Sequence, residues 1–154
     1  MVVGIFNKPV TPEDSFAPDT AIYAAGDSIG GERTMAITGA PAGCGILLNV
    51  VVADNEGIGA AGAIWIFKDS LATPIVDQAA FGLAFADYSN WLTTVTLDSY
   101  GTISSFKHSN TRVDEPPLLR WPKGYLKYYF VPSGTPDWAA SKLIYVRFDI
   151  LSQL

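Results

Sequence analysis

The sequence predicts an all-β protein, a jelly-roll-type antiparallel β-sandwich with at most one short helix. Three observations carry that class. Apolar residues recur with period two, the periodic segments are rich in β-branched and aromatic residues, and Gly, Pro and Asp clusters punctuate them. An open α/β sheet would need several crossover helices, and no helical pattern recurs between the strand segments.

Residues 1–20 read as an N-terminal arm that carries Phe6 and Phe16, and residues 21–154 as a single jelly-roll domain. Arg33–Thr38 (RTMAIT) puts Met35 and Ile37 on one face. Ile46–Asp54 (ILLNVVVAD) and Ile64–Phe67 (IWIF) are apolar on both faces. Leu92–Tyr100 alternates, with Val95 and Leu97 facing one way and Thr94, Thr96 and Asp98 the other. Tyr125–Val131 and Leu143–Leu151 close the set, the last with Ile144, Val146, Phe148 and Ile150 on one face. Asp77–Trp91 holds Ala80, Phe81, Ala84, Phe85 and Tyr88 at helical spacing, but Gly82 weakens a long helix, so a short helix or turns are expected there. About eight strands joined by turns suit a sandwich.

A strand with one wet face alternates, and Ile46–Ala53 and Ile64–Phe67 do not. Something covers their outer faces: the N-terminal arm or another subunit. Both options stand at this point.

The formal net charge is −5 and only 16% of residues are charged, so a phosphate backbone is repelled and direct nucleic-acid binding is not expected. Cys44 is the single cysteine, which excludes an intrachain disulfide and a cysteine-based zinc site, and it reads as a small buried hydrophobe. The N-terminus lacks the basic and apolar regions of a signal peptide, and the longest apolar run is too short to span a bilayer. No membrane partner, cofactor or metal is expected.

Gly26-Asp-Ser28 raises the question of a serine nucleophile. Ser28 needs a base in hydrogen-bond reach. The sole histidine, His108, lies far downstream in a polar stretch read as an exposed turn, and a strand rather than a helix follows Gly31. The turn reading explains the same residues: Asp27 bonds the nearby backbone, Gly26, Gly30 and Gly31 allow positive φ or a bulge, and Tyr23 and Ile29 anchor on the core. Asp54-Asn-Glu56 matches no EF-hand loop, Asp114-Glu115 beside Pro116-Pro117 reads as a solvated rim, and Ala42-Gly-Cys-Gly45 lacks the Lys and Ser/Thr of a phosphate loop. Trp65 and Trp91 read as core. Trp121 and Trp138, in Pro-rich loops, join Phe6 and Phe16 as candidate interface aromatics. No residue set is read as catalytic.

Tyr23-Ala-Ala-Gly-Asp-Ser-Ile-Gly-Gly31 followed by a strand resembles the start of the jelly-roll cement, or decoration, proteins of tailed-bacteriophage heads, and the similarity extends through Leu47–Asp54, Ile64–Phe67 and Phe81–Asp87. The resemblance implies a virion structural protein, made in the host cytoplasm, that binds the major capsid protein on the outer surface of the head. It also implies self-association as a homodimer or a trimer and no catalytic residues. The alternative in a different class is a carbohydrate- or receptor-binding jelly roll of a virion.

Overall fold

The computed structural model describes residues 6–37, 42–97 and 99–153, with the side chains of Phe6 and Asn7 excepted. Eleven strands are present among them: β1 (Phe6–Val10), β2 (Glu13–Phe16), β3 (Ile29–Ala36), β4 (Gly43–Asp54), β5 (Gly62–Phe67), β6 (Trp91–Leu97), β7 (Gly101–Ile103), β8 (Phe106–Arg112), β9 (Leu118–Trp121), β10 (Tyr125–Pro132) and β11 (Ile144–Gln153). A single 3₁₀-helix, Phe85–Asn90, precedes β6.

The larger sheet runs β1-β11-β4-β8-β7. Two of its positions are interrupted strands. Val10 faces Ile150 and Glu13 faces Arg147, so the register along β11 passes unbroken from β1 to β2 across Thr11-Pro12. Pro12 lacks an N–H, but its carbonyl still accepts from Phe148 N at 3.0 Å. On the other side of β4, Arg112 faces Asn49 and Leu118 faces Ile46, so the intervening stretch with Asp114-Glu-Pro-Pro117 bulges outward as a largely exposed rim. The smaller sheet runs β3-β10-β5-β6. With β1/β2 and β8/β9 each taken as one strand, the first pairs with the last, β3 with β10, β4 with β8/β9 and β5 with β6. This nested pairing is the jelly-roll order. β7 is a short addition at its edge.

The core lies between the sheets. Leu47, Val50 and Val52 of β4 and Val146, Phe148 and Ile150 of β11 meet Ile64, Ile66, Leu126, Tyr128, Phe130, Val95 and Leu97, all buried. Truncating one such large side chain to alanine costs about 2–5 kcal/mol. The alternation of β11, with its even-numbered residues inward, holds along its whole length.

The segment read as an arm does not cover the outer faces. It joins the plane of the larger sheet from Phe6 to Phe16, as its edge. The outer face of the smaller sheet is covered by the connection from β5 to β6. Leu71, Ile75, Phe81 and Leu83 fold back over Phe67, Tyr129, Trp65 and Trp91 and form a second apolar cluster. On the larger sheet Val51 lies opposite Arg147, whose guanidinium forms a pair of hydrogen bonds to Asp149 at 2.8 and 3.3 Å. The aliphatic stem of such a side chain covers apolar surface while its head stays wet. The two-faced apolar strands therefore do not require a second subunit.

Candidate interaction surface

The Tyr23–Gly31 element is a structural clamp. Gly26, Gly30 and Gly31 all have positive φ, at 89°, 74° and 65°. Ala24 N donates to Asp27 Oδ2 at 2.8 Å while Asp27 N donates to Ala24 O, which closes the turn on itself. Tyr23 and Ile29 are fully buried. The Tyr23 hydroxyl donates to Asp77 Oδ1 at 2.8 Å, and the same oxygen accepts from Gly30 N at 2.6 Å and Gln78 N at 3.0 Å. Burial raises the Tyr23 pKa well above its ordinary value, and the Asp77 carboxylate adds to this. Ser28 exchanges backbone bonds with Gln78 and Ala79. The motif thus fastens the 75–80 stretch along the edge of β3.

Ser28 Oγ is buried with no hydrogen-bond partner, and His108 lies in the opposite sheet. The two do not form a nucleophile and base. His108 is not in an exposed turn as the sequence suggested. Its polar neighbourhood is strand β8, paired with Ala53, and the ring is half-buried. Asp54 is also committed internally, accepting from Glu56, Ile58 and Gly59 N–H groups at 2.9–3.0 Å. Among the described residues no cluster of three or more metal-ligating side chains occurs, and no helix is long and apolar enough to cross a membrane.

The candidate interface aromatics are placed inward. Phe16, Trp121 and Trp138 are buried in the main core, the two tryptophans at 1% exposure. Trp138 meets Tyr23 edge-to-face at a centroid distance of 5.6 Å, and Trp121 lies under Gly43 and Gly45, where any β-carbon would strike its ring. Their Pro-rich surroundings pointed to the surface, but only a bulky apolar ring fills the sandwich ends at these positions. The side chain of Phe6 lies outside the described residues.

The four most exposed large apolar side chains among the described residues lie on the β5–β6 connection and the segment bonded to it, while Leu48, Ile103, Leu118 and Leu143 are exposed to a lesser degree on the larger sheet and its flank. Phe85 is 93% exposed, Val76 69%, Ile22 66% and Tyr88 57%. Phe85 and Tyr88 are three apart in a 3₁₀-helix, so they eclipse on one side. The platform beneath them is braced by hydrogen bonds and packed rings. Buried Asp87 accepts Ala72 N at 2.9 Å, and an aromatic chain descends from Tyr88 to Trp91 (5.6 Å), Trp65 (6.1 Å) and Phe81 (5.0 Å). Glu32 pins the start of the connection, accepting from Ser70 Oγ at 2.9 Å and Leu71 N at 3.3 Å, and it also accepts from Tyr129 OH of β10 at 2.9 Å, while Lys127 Nζ stands 3.3 Å from it. The sequence missed this ridge because Phe81 and Phe85 share one apparent helical stripe, yet only Phe81 turns inward. The helix begins at Phe85 rather than near Asp77.

Comparison with protein-family models, curated proteins and solved structures found no match.

Proposed function

We propose that this chain is a non-enzymatic structural protein of a tailed-bacteriophage virion, a jelly-roll cement protein that binds the major capsid protein on the outside of the head. The observation that carries the reading is the near-complete exposure of Phe85 on a braced 3₁₀-turn, with exposed Tyr88 one turn further along the same helix. Large apolar side chains exposed to water on a braced turn are what interface anchors look like in the unbound state. The resemblance of Tyr23–Gly31 to the head proteins supplies the partner. A subunit bridging two capsomers makes its second contact effectively intramolecular, so avidity arises only on an assembled lattice. Apolar contacts make that binding tolerant of moderate salt. The sugar-binding alternative wants carboxylates beside the exposed rings, whereas the carboxylate of this helix, Asp87, is turned inward.

The test strips the protein from particles, adds it back, and follows occupancy and the temperature of head rupture. Parent protein is expected to restore both, and Phe85→Ser with Val76→Ser to lose occupancy while keeping the parent circular dichroism. Equal affinity for free subunits and shells, or no gain in rupture temperature at full occupancy, overturns the reading.

A further inference from the structure

The sheet edges differ in how they are protected. Natural sandwiches blunt their edges with charge, proline, shortness or a covering segment, because a bare edge pairs with other chains. Along β1 and β2 this protein has Lys8, Pro9, Pro12, Glu13 and Asp14. β7 has three residues, and β9 has four, with Arg120 among them and prolines on both flanks. The edge of β3 is taken by the 75–79 stretch at Ser28 and Glu32, and Arg33 charges the next position. β6 has none of these devices. Its seven residues, WLTTVTL, contain no charge, proline or glycine, and among the described residues it pairs with β5 alone. Beside Thr94–Thr96 runs an open groove of about 330 Å³, bounded on its far side by Thr111–Asp114.

We infer that β6 is a self-pairing edge, joining antiparallel to β6 of a second copy of this chain across a two-fold axis. The occupant follows from the inventory of edges. Beyond β7 the edge of β8 is free at Ser109–Arg112 but is charged by Arg112, and the remaining described edges are obstructed, so in a solution of this chain the uncharged edge that matches β6 is another β6. Such a contact is isologous and closes at two subunits rather than growing into a fibre. Self-apposition is also chemically permitted. β6 sets no like charges against each other, and Thr–Thr and Thr–Val cross-strand pairs are favourable. Across the groove Arg112 and Asp114 offer one charge of each sign. The result joins two four-stranded sheets into one of eight. A contact this short is at the small end of specific interfaces, where weak and transient association is the rule. The inference does not rest on the capsid reading.

Sedimentation equilibrium of the full chain tests it. The parent is expected to move from 16.5 kDa toward twice that mass as concentration rises through the micromolar range. Thr96→Lys and Thr96→Glu, each at an exposed side chain, are expected to sediment as monomers, and their equimolar mixture to recover the dimer. Phe85→Ser leaves the dimer unchanged, which separates this surface from the proposed capsid contact. A parent that stays monomeric, charge variants that dimerise like the parent, or a mixture that does not recover overturns the inference. Should the variants misfold, amide exchange of the parent decides: residues 92–96 gain protection with concentration if β6 pairs, and concentration-independent exchange there refutes it.

Discussion

Alanine at Gly26, Gly30 and Gly31 separates backbone strain from steric conflict. All three residues have left-handed φ, which costs an L-residue about 1–2 kcal/mol. Their surroundings differ. A β-carbon at Gly26 meets nothing within 4 Å, so Gly26→Ala carries the strain alone. At Gly30 it would stand 2.5 Å from the Phe16 ring, a side chain that can shift only against the core. At Gly31 it would stand 2.9 Å from Asp77 N and 3.2 Å from Ile75 O, both backbone, so the 75–80 stretch must lift from β3. Overpacking of this kind adds about 1–3 kcal/mol. Gly31→Ala is therefore expected to lose about 2–5 kcal/mol and Gly26→Ala about 1–2. At about 2–4 °C per kcal/mol for a chain of this size, the first lowers Tm by about 4–20 °C and the second by about 2–8 °C. Urea unfolding gives the free energies. Binding of a hydrophobic dye then reports whether Phe67 and Tyr129 become uncovered in Gly31→Ala. A loss in Gly31→Ala no greater than in Gly26→Ala would refute the idea that the glycines exist to let the β5–β6 connection lie against β3.

Three other expectations follow from the same geometry. Asp77→Ala removes the acceptor of Tyr23 OH and of the Gly30 and Gln78 N–H groups, and is expected to destabilise by about 2–4 kcal/mol in urea unfolding, since bonds to a charged acceptor are worth about 1.5–3 kcal/mol each and water replaces part of them. Ser28→Ala deletes a buried hydroxyl with no partner, so its urea midpoint is expected to equal or exceed that of the parent. Stability is expected to fall as pH rises above about 10, the ordinary phenol value: burial first of all holds Tyr23, Tyr100, Tyr128 and Tyr129 protonated in the folded chain while the unfolded chain ionises, so the unfolded state binds fewer protons, and a flat melting temperature from pH 9 to 11 would contradict this.

The strands that were legible in the sequence are those whose own side chains decide which face is buried. β11 alternates without exception, and β3, β6 and β10 carry enough of the same rhythm to be located. The short strands β1, β2, β7 and β9 were not legible, because three to five residues hold no period, and their extended state is set by the backbone groups of β11, β4 and β8. The Tyr23–Gly31 turn was legible because glycine has a specific conformational reason to be there, and of the two options its glycines allow, positive φ or a bulge, all three take positive φ. Its partner was not, since nothing in the sequence marks Asp77, 47 residues beyond Gly30, as the acceptor on which it closes.

The misplacement of the tryptophans and the omission of Phe85 have one cause. Position in a loop does not fix burial in a jelly roll, whose ends need large rings to seal the space between sheets. Trp121 and Trp138 provide them from segments that look like surface turns. The long β5–β6 connection, in turn, has more apolar residues than one sheet face can hide. Leu71, Ile75, Phe81 and Leu83 saturate the outer side of β5 and β10, and Glu32, Asp77 and Asp87 accept bonds that fix the path of the chain over them. With the path fixed, Val76, Phe85 and Tyr88 have nowhere to turn but outward. Their exposure follows from the cover having a full underside, and the ridge is therefore held ready in the free protein, with little ordering left to do on contact.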